Sequence, residues 1–227
     1  MSEYWRKKYR LGHQQYYPWD CVVSFVMRYA SKVHPRNTVR LAEVGCGSGS
    51  NVWFAAREGF SVYGFDISLD AIKMLQRRFH DENLKGTFAV ANFTQIPFEN
   101  NFYDLVIDRA ALACGSKEDI YVGVGEAHRI LKVGGFFFMN GYSNLHSSAK
   151  ANNSQTGKTI HYPESGSLVG IDRISFLSEA DIQSLFSREW RIHSKVLVEK
   201  TDLSRTTHTC HAEWHIVAEK ISEKIKP

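Results

Sequence analysis

The sequence predicts an α/β fold, a doubly wound and mostly parallel sheet with helices on both faces. Three observations carry that expectation. From residue 39 onward apolar, strand-like runs alternate with helical patterns in the order VRLAEV, NVWFAAREG, SVYGFD and SLDAIKMLQRRF; strands joined through helices run parallel and need right-handed crossovers. Between the first run and the first of these helices, Gly45, Gly47 and Gly49 fall within five residues, the composition of a loop that lets backbone come close to a ligand. A chain of 227 residues with 43% hydrophobic composition can bury one substantial core, so a single domain is expected.

Each element follows from its own pattern. Behind an aromatic and basic opening segment, DCVVSFVMRYASKV spaces Val22, Phe25, Val26, Tyr29 and Val33 along one helical stripe, and Pro35 stops it. In SLDAIKMLQRRF the stripe is Ile72, Leu75 and Phe79, with Ser68 as N-cap. The alternation continues through TFAVA and YDLVID, a helix over SKEDIYVGVGEAHRILK ended by Gly134 and Gly135, and the strand GFFFMN. On that helix His128 reads as a surface residue. The stretch from Tyr142 to Gly170 is polar and rich in turn residues, too long for an ordinary connection and of a composition that cannot hold a core, so it reads as a lid or a disordered segment. LSEADIQSLFS resumes as a helix, and WRIHSKVLVEK and HAEWHIVAEK read as two final strands, bringing the count to about seven.

Charge and cysteine usage exclude several classes. The 28 Lys and Arg against 24 Asp and Glu are scattered rather than drawn into a basic stripe, so no nucleic-acid partner is expected. Cys21, Cys46, Cys114 and Cys210 show no C-x-x-C spacing, which suits reduced thiols and a cytoplasmic location. No segment approaches the roughly 20 apolar residues of a membrane span, and MSEYWRKKYR lacks the apolar core of a signal peptide; no membrane partner is expected.

A dinucleotide-binding loop reads G-x-G-x-x-G, its third glycine letting the helix lie close to the strand while the helix N-terminus meets a pyrophosphate. Here that position is Ser50, and the glycines run Gly45-x-Gly47-x-Gly49 behind Glu43. An acidic residue there is unsuited to a pyrophosphate and suited to a ligand bearing an ammonium and a sulfonium. With EVGCGSG followed by a second strand ending in Asp66, the sequence resembles the class I S-adenosylmethionine-dependent methyltransferases. FTQIPFENNFYDLVI and EAHRILKVGG look like their third, fourth and fifth strand regions, so the likeness is good over residues 37–140 and loose at the flanks. The resemblance implies S-adenosylmethionine as cofactor and a Rossmann-like sheet of seven strands whose last strand is antiparallel. It also implies one methyltransferase domain over 1–227, with an N-terminal cap (1–36), a cofactor-binding core (37–140), a lid insert (141–175) and a C-terminal helix and hairpin (176–227).

The same resemblance places a site. Glu43, Gly45, Cys46, Gly47 and Gly49 would lie along the methionine and adenosine parts, Asp66 would accept both ribose hydroxyls, and Ile67 would pack on adenine. Where the family commonly has an acidic residue after the third strand, Asn92 and then Phe93 stand here; an amide oxygen can accept the same adenine bond, and a plain loop asparagine is the alternative. Ligands of open α/β sheets lie at the carboxyl ends of the strands. Asp108 and Arg109 are the nearest polar pair there, either touching ligand, or pairing with each other or capping the following helix. In YWRKKYRLGHQQYYPW, Arg10 and His13 are candidates near the ligand carboxylate, against the alternative of a helix packed on the sheet edge. If the last two strands form the hairpin the resemblance implies, their loop brings Arg205, His208 and His211 to the crevice. The run HTCHAEWHIV suggests a metal through His208, Cys210, His211 and His215. Alternation instead puts His211, Glu213 and His215 on one face of a half-exposed edge strand, and no metal is expected.

Methyl transfer is an in-line displacement at an activated carbon, so alignment carries much of the catalysis and a base is optional. Asp108, His208 and His211 are the catalytic candidates. The expected acceptor is a small polar, anionic metabolite, phosphorylated or nucleotide-linked ones included, methylated on oxygen or nitrogen. His146, Lys150, Lys158, His161, Arg173, Lys200, Arg205, His208 and His211 are read as projecting over the crevice, with few large apolar residues among them. The alternative is a non-catalytic S-adenosylmethionine-binding regulatory or scaffold module. Ser50 and Glu43 disfavour a dehydrogenase, and a nucleic-acid methyltransferase lacks its Asn-Pro-Pro type of motif here.

Overall fold

The computed structural model describes residues 3–30, 35–150, 159–204 and 208–222. In chain order these form α1 (Glu3–Arg10), α2 (Asp20–Tyr29), β1 (Arg40–Val44), α3 (Ser50–Arg57), β2 (Ser61–Asp66), α4 (Leu69–Asp81), β3 (Thr87–Val90) and β4 (Tyr103–Arg109). There follow α5 (Lys117–Ile130), β5 (Leu131–Tyr142), α6 (Ser147–Lys150), β6 (Thr159–His161), β7 (Arg173–Ser175), α7 (Glu179–Leu185), β8 (Trp190–Asp202) and β9 (Thr209–Lys220).

Seven strands make one sheet in the order β3-β2-β1-β4-β5-β9-β8. β1 pairs in parallel with β2 and β4, and β9 runs antiparallel to both β5 and β8, as the expected fold requires. The strand order reverses between β1 and β4, which opens a crevice at their carboxyl ends.

Two apolar layers fix the sheet. Val22, Phe25 and Val26 of α2, Val52 and Ala55 of α3, and Ile72, Leu75 and Phe79 of α4 cover the face presenting Leu41, Ile107, Phe138 and Val217. Ile120, Val124 and Ile130 of α5 and Ile182 and Leu185 of α7 cover the face presenting Val44, Val106, Met139 and Ile216. The Ser68 hydroxyl accepts from Ala71 N at 3.3 Å as the expected N-cap, and Ser116 with Asp119 forms a capping box on α5.

Four readings from the sequence need correction. The strand carrying His211, Glu213 and His215 lies inside the sheet; β8 is the edge, because β8 pairs with β9 along almost its whole length while β9 also pairs with β5. α5 ends at Ile130 rather than at the glycines, since fully buried Leu131 already pairs with Tyr103, and Gly134 at φ +81° lies within the register shift before Leu105 meets Phe136. His128 is buried against Trp190, ring centroids 5.0 Å apart, and burial pushes its imidazole down to about 4. The insert after β5 holds a small core of its own: Ala149, Ile160, Leu168, Ile174 and Phe176 pack around the β6–β7 pair.

Candidate functional site

The loop after β1 is set by its glycines. Gly47 at φ +54° lies so close to the Tyr9 hydroxyl that any side chain there would collide with it, and Gly49 at φ +86° is equally close to Leu75. Gly47 N donates to Asp66 Oδ2 at 3.0 Å and Ser68 N to Asp66 Oδ1 at 2.8 Å, so the strand-end carboxylate and the loop are one unit. Burial raises the Asp66 carboxyl, against the backbone donors of Ser68, Gly47 and Ile67.

Glu43 is buried beneath the same loop. Its Oε1 accepts from Asn51 Nδ2 at 2.7 Å, while its Oε2 has no partner. Burial pushes this carboxyl up to about 8. The N-terminal segment is stitched over the loop by Gln15 N to Ser48 Oγ at 3.1 Å and Trp19 N to Asn51 Oδ1 at 3.1 Å.

A cavity of about 840 Å³ runs from this loop along the α2 face of the sheet. Strand parity decides what reaches it. Arg109, Asn140 and His215 share one cross-strand row, and Ile107, Phe138 and Val217 share the row two residues behind. Arg109 stacks 4.0 Å over the Trp19 ring and approaches Glu213 Oε2 at 3.7 Å. Glu213 accepts from both neighbours on its own strand, His211 Nε2 at 3.1 Å and His215 Nε2 at 2.7 Å. Burial alone would raise Glu213, but these two donors and the Arg109 charge together hold it well below the ordinary carboxylate range. Beyond the polar cluster the walls are apolar: Phe25, Tyr29, Phe138, Val196, Val198 and Val217.

Of the expected residues, Glu43, Gly45, Cys46, Gly47, Gly49, Asp66, Ile67, Asn92, Phe93, Arg109, His13, Lys200 and His211 all line this cavity. Asp108 does not. Its strand position turns it to the opposite face, where Oδ1 accepts from Ala111 N at 2.9 Å and Leu112 N at 3.0 Å and caps the short turn Leu112–Cys114. Arg10 lies on the surface beside Asp70 at 3.8 Å, and His208 is exposed away from the lining. Asn92 Oδ1 accepts from Thr94 N at 3.1 Å, the local turn that was its alternative. His146 is buried, Lys150 and His161 are exposed, Arg173 is paired with Asp119 at 3.4 Å, and Lys158 and Arg205 lie outside the described residues. Asn51 and Glu213 were not singled out as site residues from the sequence, although the alternation of HAEWH already put Glu213 between two histidines on one face. Among the described residues no group of three or more His, Cys, Asp or Glu is arranged to hold a metal ion.

Known proteins share this frame. Residues 41–135 match the family model described as a methyltransferase domain. Squalene methyltransferase 2 of Botryococcus braunii is 33% identical over 114 residues, covering 48% of this chain and 29% of that protein; the chain thus spans about a third of the curated relative's length. Among solved structures, an S-adenosylmethionine-dependent methyltransferase from Methanosarcina mazei superposes with a TM-score of 0.69 at 19% identity, over 87% of this chain and 97% of the other. Magnesium protoporphyrin IX methyltransferase from Synechocystis PCC 6803, with bound S-adenosylmethionine, superposes with a TM-score of 0.61 at 17% identity, over 97% and 85%. No helix among the described residues is long and apolar enough to cross a membrane.

Proposed function

Residues 41–135 being a class I, S-adenosylmethionine-dependent methyltransferase domain, we propose that this protein methylates a small-molecule acceptor seated in the cavity along α2. The observation that carries the reading is the orphaned Glu43 Oε2, a buried carboxyl oxygen of a residue lining the same cavity as the glycine loop, whose strand-end partner is Asp66. Glu43 fits an ammonium, the glycine backbone fits a closely laid chain, Asp66 fits a pair of ribose hydroxyls, and Ile67, Asn92 and Phe93 fit a flat base. The cofactor supplies a methyl group on a sulfonium, already activated for displacement. The protein's part is to align the acceptor and to keep water out of the crevice.

The acceptor reading shifts from the one the sequence suggests. Arg109 is neutralised by Glu213 and Arg173 by Asp119, and of the basic residues expected over the crevice Lys200 on β8 and His211 on β9 line the cavity, as does Arg28 on α2. Its walls favour an acceptor with an apolar body and one polar group at the Glu213 end, rather than a mainly anionic metabolite. We read the described residues 141–150 and 159–175 as a cover of that site, anchored by Arg173 Nε to Cys114 O at 3.0 Å and Ser175 Oγ to Gly115 O at 2.7 Å. Turnover with methyl-labelled S-adenosylmethionine against matched apolar and phosphorylated acceptors tests the reading. Labelled product from apolar-bodied acceptors is expected; preferential turnover of phosphorylated ones would overturn the acceptor class.

A further inference from the structure

The histidines at the carboxyl end of β9 are ordered by their hydrogen bonds. His146 Nδ1 accepts from Ser148 N at 3.0 Å, so a neutral His146 carries its proton on Nε2. That Nε2–H points at Ser167 Oγ, 3.1 Å away, and at His211 Nδ1, 3.3 Å away. His211 Nδ1 is therefore an acceptor, and its Nε2–H donates to Glu213 Oε2 at 3.1 Å. His215 donates from Nε2 to Glu213 Oε1 at 2.7 Å. Both nitrogens of His211 are occupied. For His215 Nδ1 the described residues offer no partner, and the ring lines the cavity.

We propose that His215, oriented by Glu213, is the general base of a hydroxyl-methylating site. The inference rests on the methyltransferase reading above and narrows it, since a carboxylate acceptor has no proton to lose whereas a hydroxyl does. An ionised Glu213 at the polar end also disfavours a carboxylate beside it. In the step, an oxygen lone pair becomes the new O–CH3 bond and the electron pair of the broken C–S bond stays on sulfur. The O–H proton passes to His215 Nδ1, and the imidazolium so formed is held by the Glu213 carboxylate. The other candidates do not serve: Asp108 lies on the opposite face and His208 is exposed away from the cavity. The charged and titratable groups sharing the cavity with His215 are Glu213 and His211 on its strand, Arg109 on β4, Tyr142 on β5, Lys200 on β8, Asp20, Cys21, Arg28 and Tyr29 on α2, and, toward the glycine loop, Tyr9, His13, Glu43, Cys46, Asp66 and Cys114.

The test uses the full chain in three measurements. Long-range proton–nitrogen spectra of the ligand-free protein are expected to show neutral His215 protonated on Nε2; a proton on Nδ1 instead would overturn the proposal. With labelled S-adenosylmethionine, a panel of phenols and aliphatic alcohols is expected to be methylated, and the matched carboxylic acids are not. His215→Gln is expected to lose roughly 100-fold or more in turnover and the acid limb of the pH profile, while S-adenosylhomocysteine affinity by calorimetry stays within about twofold. Turnover of acids alone, of no hydroxyl at all, or of hydroxyls by His215→Gln at the wild-type rate and pH dependence would each overturn it. Failure of the unmodified protein to bind S-adenosylhomocysteine would instead sink the cofactor reading beneath it.

Discussion

Glu43 is a carboxyl that burial pushes up to about 8, so in the free protein at pH 7 it is mostly neutral. A ligand ammonium set against Oε2 favours the carboxylate and lowers that value, so binding at neutral pH must expel a proton. The affinity for S-adenosylhomocysteine should therefore rise as pH climbs from 6 toward 8, where the free carboxyl is itself ionised. Calorimetry at pH 7 in buffers of different ionisation enthalpy should register release approaching one proton. Glu43→Gln should abolish the release and weaken binding by about 1.5–3 kcal/mol. Proton uptake, or an unchanged affinity in that variant, would remove Glu43 from the ammonium site. The neighbouring Asp66 differs, because three backbone donors already oppose its burial.

The helix α1 buries none of its residues fully, yet its Trp5 and Tyr9 line the crevice. Beside its packing against α4, its side-chain holds are few: the Tyr9 hydroxyl against Gly47, the Trp5 indole on the Cys114 thiol, and Arg10 beside Asp70 at 3.8 Å. An element so attached opens at little cost, so its amides should exchange fast in the free protein and slow down with S-adenosylhomocysteine, while those of β1 and β4 stay unchanged. Gly47→Ala should remove that protection, because its methyl meets Tyr9 and its left-handed φ costs a further 1–2 kcal/mol, roughly. Protection of α1 already complete without ligand would show it to be part of the core instead. The parts legible in the sequence were those written within one strand-loop-helix unit, Glu43 to Asp66 above all, where spacing alone sets the geometry. What stayed hidden depends on partners distant in the chain. His128 looks like a surface residue until Trp190 covers it, and Arg109 is a free cation until Glu213 meets it. Asp108 follows a parity that becomes readable once the ends of β4 are known.

Across the sheet, the division of labour follows from topology. One face is filled by α5 and α7 with aliphatic and aromatic side chains, and Asp108 turns toward it to accept from Ala111 N and Leu112 N. The other is filled by α2, α3 and α4 up to the row of Phe138 and Val217, beyond which the same face continues as cavity wall. The glycine loop and the polar end of β9 thus open onto one space although more than half the chain separates them. The described part of the insert places Ile171 and Ile174 on the lining of that space, beside a small core of its own. Methyl transfer requires that the crevice at the reversal between β1 and β4 hold S-adenosylmethionine rather than a dinucleotide. Calorimetric titration with S-adenosylhomocysteine and with NAD, on the unmodified chain and on Asp66→Ala, measures that directly. One S-adenosylhomocysteine bound per chain is expected, with no heat from NAD. In the variant, loss of two charge-assisted ribose bonds should weaken affinity by a few kcal/mol, on the order of 100-fold. Comparable binding of NAD, or an Asp66→Ala affinity equal to that of the unmodified chain, would contradict it.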